Sequence, residues 1–139
     1  MISIEVVDWQ VVQTSISQIR EAVFIEEQNV PVELEWDGLD THCTQLLALK
    51  GAVAVGTARM TVTGKIGRMA VLRPWRRQGV GGQLLSKLIS VGRAAQLPCV
   101  TLDAQITAIP FYQHFGFKVV SQSFIDAGIE HRSMALLLE

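Results

Sequence analysis

A chain of 139 residues, 49% hydrophobic and 18% charged, with a formal net charge of -1, has the size and apolar content of one domain built on one core. The near-neutral charge excludes a broad polyanion-binding surface, so no nucleic acid partner is expected, and the apolar content excludes disorder. Cys43 and Cys99 lie far apart with no Cys-x-x-Cys pattern, and His42, His114 and His131 lack ligand spacing, which predicts reduced thiols and no metal.

From the N-terminus, Ile2, Ile4 and Val6 alternate with polar neighbours as a half-buried strand does. Asp8 is placed to cap a helix in which Val12, Ile16, Ile19 and Val23 form the inward stripe, while Gln13, Ser17, Arg20 and Glu21 fall on other faces. Periodicity then breaks over residues 29–41, where Pro31, Gly38 and the acids Glu33, Glu35, Asp37 and Asp40 predict a charged, solvated loop. Residues 46–49, 52–62 and 66–72 read as three neighbouring antiparallel strands, separated by Lys50-Gly51 and Thr63-Gly64-Lys65 turns. A helix over residues 83–95 carries Leu84, Leu85, Leu88, Val91 and Ala95 at helical intervals and ends before Pro98. The apolar segment 99–104 suits a central strand, residues 108–115 a brief helix ending at Gly116, and residues 117–125 and 133–138 a final strand pair. No apolar run approaches a membrane span and the first residues lack a signal-peptide pattern, so a cytoplasmic protein without a membrane partner is expected.

The segment Arg76-Arg77-Gln78-Gly79-Val80-Gly81-Gly82 precedes the second helix. Glycines permit tight turning, and unpaired N–H groups at a helix start favour an anion, to which two arginines add planar donors. A nucleotide-triphosphatase loop would continue Gly-Lys-Ser or Gly-Lys-Thr, but Gly82 is followed by Gln83 and Leu84. A dinucleotide fingerprint needs a third glycine where Leu84 stands. An ordinary glycine-rich strand-to-helix turn is the simplest alternative for the loop alone.

The pattern Arg76-x-x-Gly79-x-Gly81 resembles the Arg/Gln-x-x-Gly-x-Gly/Ala signature of the GNAT superfamily of acyl-CoA-dependent N-acyltransferases. Residues 108–117, Ala-Ile-Pro-Phe-Tyr-Gln-His-Phe-Gly-Phe, resemble that family's second signature, Ala-x-x-Phe-Tyr-x-x-x-Gly-Phe. Segments 24–28, 35–40 and 128–131 look like its ElaA-like bacterial subgroup. The resemblance spans nearly the whole chain as one domain, residues 1–139. It implies an α/β (α+β) fold with a mixed, mostly antiparallel sheet that splays between segments 66–72 and 99–104 and is flanked by helices.

By that resemblance the chain is an acetyl-CoA-dependent N-acetyltransferase acting on a primary amine of a small molecule or peptide. The alternative is a non-catalytic acyl-CoA-binding or sensing module. Coenzyme A would be held by Met69, Ala70 and Val71 along the pantetheine arm and by Arg76, Arg77, Gln78, Gly79, Val80, Gly81 and Gly82 at the pyrophosphate, with Gln105, Ala108, Phe111 and Tyr112 on the far wall. Tyr112 is the expected general acid toward the departing sulfur, and amides of residues 69–71 the expected oxyanion donors. Phe24, Glu27, Gln28, Asp37 and His131 are the acceptor-side candidates. An aliphatic ammonium with a free pKa of about 10.4 must lose a proton before it attacks, and His42 and His131 are the histidines available as bases. The family leans toward a homodimer.

Overall fold

The computed structural model describes residues 1–138. Strand β1 (Ile2–Val7) leads through Asp8, whose carboxylate accepts from Gln10 N–H at 2.9 Å, into α1 (Trp9–Arg20). Asp8 thereby satisfies one of the helix's orphan donors. The helix runs on as a π-helical turn, Glu21–Glu27, closed by Gln28 N–H donating to the Val23 carbonyl at 3.1 Å. Such widened turns recur at functional sites, and this one lies beside the cleft described below.

After Pro31 the chain forms a short helix, α2 (Val32–Glu35), and then a 3-10 turn at Asp40–His42. A hairpin follows, β2 (Thr44–Lys50) and β3 (Val53–Met60), and then β4 (Lys65–Val71). Helix α3 spans Val80–Ala94, β5 Cys99–Gln105 and α4 Ile109–His114. The chain closes with β6 (Lys118–Val119), β7 (Phe124–Asp126) and β8 (Ile129–Leu137).

The sheet order is β1-β2-β3-β4-β5-β8-β6, with β7 also paired to β8. All pairings are antiparallel except β4 with β5, which is parallel and limited to Lys65 opposite Thr101 and Ile66 opposite Leu102. Beyond Ile66 these two strands part, so the splay falls where the family resemblance implies it.

Alternation along β2 divides the core between the two faces of the sheet. Leu46 and Ala48 pack with Leu84, Leu85 and Leu88 of α3, whereas Leu47 packs with Ile16, Ile19 and Val23 beneath α1. Each fully buried leucine contributes about 1.5–3 kcal/mol, so both helices are fixed mainly by their apolar stripes.

Four expectations need correction, the first being that segment 117–125, expected as one strand, holds β6 and the start of β7, parted by residues 120–123. Helix α3 begins at Val80 rather than residue 83, because Gly81 and Gly82 take helical geometry in its first turn. The last strand reaches back to Ile129, since Ala127 and Gly128, with φ of 51° and 78°, form a tight turn that pairs β7 with β8. The loop expected to be solvated holds Glu35 and Asp40 at only 2% and 6% exposure, and Arg20, expected on an outer face of α1, is fully buried against them.

Candidate active site

Gly79 caps α3 with φ of 81°, and Arg77, at φ of 62°, is also left-handed. Left-handed residues at this spacing suit a backbone nest whose N–H groups receive an anion. The first helical hydrogen bond runs from Gln83 N–H to the Gly79 carbonyl at 3.0 Å, so the amides of Val80, Gly81 and Gly82 lie ahead of it. A Cβ at Gly79 would meet no atom within 4 Å, so this stretch of backbone is open to a ligand. Gly82 is different, because a Cβ there would come within 3.1 Å of the Phe115 ring. That glycine serves the packing of α3 on α4.

The two arginines of the loop have separate surroundings. Arg77 is exposed and forms no salt bridge among the described residues. Arg76 is committed within the protein. Its Nε donates to the Val71 carbonyl at 2.8 Å, and Nη1 and Nη2 donate to Glu27 Oε2 and Oε1 at 2.8 and 2.7 Å. The guanidinium hydrogen bonds and charge of Arg76, assisted by Arg73, hold the Glu27 carboxyl below its ordinary range despite some burial. Glu27 therefore contacts the loop and not the cleft, and the pair fastens the π-helical turn to the end of β4.

On the other side of the parted strands lies a cleft of about 480 Å³. Phe24, Gln28, Asp37, Met69, Gln105, Ala108, Tyr112 and His131 all line it. The structure thus brings together expected cofactor-side and acceptor-side residues in one cavity. Phe111 stands outside the lining, bridging the Tyr112 ring at 5.1 Å and the Gly81 backbone, where a Cβ would lie 3.7 Å from its Cζ. His42 is exposed and likewise absent from the lining.

Strand β4 reaches the cleft through a bulge. Pairing steps from Thr57 opposite Ala70 to Arg59 opposite Gly67, and Arg68 takes a left-handed φ of 48° within the extra residue's span. Beyond it, Leu72 N–H donates to Val55 on the β3 side at 2.9 Å. By strand alternation Val71 presents its own amide on the opposite side, toward the parted edge. Burial pushes the Tyr112 phenol above its ordinary pKa, and its hydroxyl has no hydrogen-bond partner among the described residues. Gln105 Nε2 donates to Gln28 Oε1 at 3.1 Å, tying β5 to the turn after α1.

Glu35, Asp37, Arg59 and Arg68 of the lining belong to an ion-pair network completed behind them by Arg20 and Asp40. Arg20 meets Glu35 Oε2 at 2.5 Å and Asp40 Oδ1 at 2.7 Å, and Arg59 meets the same Asp40 oxygen at 2.9 Å and both oxygens of Asp37. Arg68 reaches Asp37 Oδ2 at 3.2 Å. Burial opposes ionisation of Asp37, but hydrogen bonds from Arg59 and the Leu39 amide, with the charges of Arg59 and Arg68, bring its pKa to about 2. Asp37 is at the cleft, yet both its oxygens are occupied.

Sequence reasoning missed Arg59, Arg68, Lys65, Asp103 and Asp126, which also line the cavity. Arg59 had a visible signal: an arginine inside the apolar run of β3 needs a buried counter-charge. The acids expected to face solvent supply it. Among the described residues no three His, Cys, Asp or Glu side chains are grouped to hold a metal ion.

Residues 12–138 match the family model described as acetyltransferase (GNAT) domain. The uncharacterized N-acetyltransferase YjcF of Bacillus subtilis is 38% identical over 120 residues, covering 84% of this chain and 86% of the relative. Protein ElaA of Escherichia coli is 35% identical over 127 residues, covering 85% and 82%. The crystal structure of E. coli ElaA superposes with a TM-score of 0.86 at 30% identity, over 97% of this chain and 99% of that one. An acyl-CoA N-acyltransferase from Pseudomonas aeruginosa has the same fold, with a TM-score of 0.83 at 24% identity and 97% coverage of both chains.

Proposed function

Because this chain belongs to the GNAT acetyltransferase family, we propose that it moves the acetyl group of acetyl-CoA directly to a primary amine of a small molecule or peptide. One observation supports this reading above the others: β4 and β5 pair only at Lys65 and Ile66 and then part beside the amide nest of Arg77 and Gly79. An acyl donor held there has its diphosphate at the nest and its thioester at the freed edge of β4. The cradle fits such a ligand, since Gly79 leaves open space and the α3 amides have no helical partner. The Val71 amide would stabilise the oxyanion, and Tyr112 would donate to the sulfur. The acceptor amine would enter past Phe24, Gln28 and Asp37.

Acetyl-CoA at 100 times its Kd is expected to stabilise the fold by about 2.7 kcal/mol, read as a rise in Tm. The same cofactor with a panel of amines is expected to release free thiol. No rise in Tm would remove the reading, and a rise without thiol release from any amine would favour a sensing module.

For Arg76 the contacts with Val71 and Glu27 support a positioning role. Its side chain would shape the loop through Glu27 rather than hold phosphate. Glu27→Gln and Arg76→Gln are expected to weaken acetyl-CoA binding by similar factors, roughly ten-fold each, with the double variant no worse than either, as for residues of one unit. Calorimetric Kd values for the four proteins check this, and a loss confined to Arg76→Gln would assign it a direct phosphate contact.

A further inference from the structure

We propose that His131 is the general base that deprotonates the acceptor amine, an inference that rests on the acetyl-transfer reading above. His131 lies on β8 opposite Gln105 of β5 and Phe124 of β7, 9% exposed, in the lining of the cleft that also holds Tyr112 and Met69. Its Nδ1 is 2.7 Å from the Ile129 carbonyl oxygen. A carbonyl only accepts, so Nδ1 carries the hydrogen, and in the neutral ring the lone pair is on Nε2. The ring stacks on Phe124 at 5.9 Å and 19° between planes, which fixes its orientation. Nε2 has no hydrogen-bond partner among the described residues, yet the buried side-chain nitrogen left unpartnered among them is Arg68 Nε. Nε2 therefore keeps access to the open cleft.

The other bases near the cavity, Asp126 apart, are occupied. Glu35, Asp37 and Asp40 are bound by arginines, and Glu27 by Arg76. Around the imidazole, β5 contributes Asp103, itself held by Ser133 Oγ at 2.8 Å and Lys65 Nζ at 3.0 Å. Burial opposes ionisation of Asp103, but its hydrogen bonds from Ser133 and Lys65 hold the carboxyl below its ordinary range, so it stands beside the imidazole as a carboxylate. From β7 comes Asp126, from α4 Tyr112, while Glu130 and Arg132 flank the histidine on β8 and alternate to the opposite face. Asp126 is the competing carboxylate, exposed and without a salt bridge among the described residues.

The step balances as follows. Nε2 takes one proton from the ammonium, giving imidazolium and a neutral amine. The nitrogen lone pair forms the N–C bond to the thioester carbonyl, and the C–S bond breaks with its electron pair on sulfur. The nitrogen sheds a second proton as the amide forms. That second proton passes to the departing sulfur, whose developing charge the Tyr112 hydroxyl stabilises, and His131 releases the first to water.

Steady-state kinetics of the full chain with a turned-over amine, from pH 6 to 9.5 by thiol release, test the assignment. His131→Gln is expected to lower kcat/KM for the amine about 10²-fold or more at neutral pH while leaving the Kd of acetyl-CoA within two-fold. The deficit should shrink as pH rises and free amine accumulates, and added imidazole should partly restore His131→Ala. The wild-type pH limb surviving in His131→Gln, or vanishing instead in Asp126→Asn, would overturn the assignment. A second readout needs no turnover: nitrogen-15 spectra of the wild-type imidazole should show the proton on Nδ1, and a proton on Nε2 would overturn it equally. Wild-type protein that shows the Nδ1 tautomer and binds acetyl-CoA but acetylates no amine would sink the transfer reading, and the base with it.

Discussion

Arg20→Met is expected to destabilise the fold by about 3–5 kcal/mol, the range for removing one partner of a buried ion pair. Each guanidinium nitrogen of Arg20 donates a hydrogen bond. Nε and Nη1 go to Glu35 and Asp40, Nη2 goes to the Glu35 carbonyl at 3.1 Å, and the guanidinium lies 4.8 Å from the Trp36 ring centroid and 5.9 Å from that of Trp9. Methionine fills much of the volume but leaves the Glu35 carboxylate, 2% exposed, facing only Arg68 Nε at 3.5 Å. Against a total stability of about 5–15 kcal/mol, the loss is a large fraction of what holds the fold together. Urea midpoints for wild type and variant measure it, and an unchanged midpoint would show that the network contributes little.

The charges at this site have a second consequence, for the cleft. Breaking the pair with apolar groups on both sides, as Arg20→Met with Glu35→Leu, is expected to recover part of the lost stability, since no unpaired charge then stays buried. Function need not follow, because Asp37 and Arg68 would lose the frame that Glu35 gives them. Stability and turnover measured on the same double variant separate the two roles.

Much of the fold was legible because it follows periodicity. Ile16, Ile19 and Val23 under α1 and Leu84, Leu85 and Leu88 under α3 are buried as their spacing predicts, and the parting of β4 from β5 lies where the two signatures imply. What periodicity cannot carry is pairing across long sequence distance. Nothing local to Glu35 or Asp40 distinguishes a solvated acid from one bound to Arg20 or Arg59, and the strongest clue lay in β3, where Arg59 interrupts an apolar run. The side-chain partner of Arg76 was illegible for a related reason. The motif's letters mark a phosphate loop, but the Arg76 side chain is taken by Glu27, a residue almost fifty positions earlier. His131 was legible as an acceptor-side candidate through segment 128–131, but its ring contacts were not, because they depend on the Ile129 carbonyl and on Phe124 across the turn.

Tyr112→Phe is expected to lower kcat about 10²-fold with acetyl-CoA affinity held within two-fold, the pattern of a group acting mainly in the transition state. Relative acidities decide how it acts. A thiol has a pKa of about 8.5 and an unperturbed phenol about 10, and burial moves this phenol higher still. Complete transfer of its proton to a free thiolate is therefore uphill. Charge on sulfur, however, only develops as the C–S bond breaks, and a positioned donor stabilises it then. The same elevation keeps Tyr112 protonated across the neutral range, so the donor is always armed. Phenylalanine preserves the edge contacts that the ring makes with Phe111 and Phe117 at 5.1 and 6.1 Å, so packing is held constant while the hydroxyl is removed. Single-turnover rates of the variant isolate the chemical step. A rate equal to wild type would reduce Tyr112 to one more aromatic between α4 and the core.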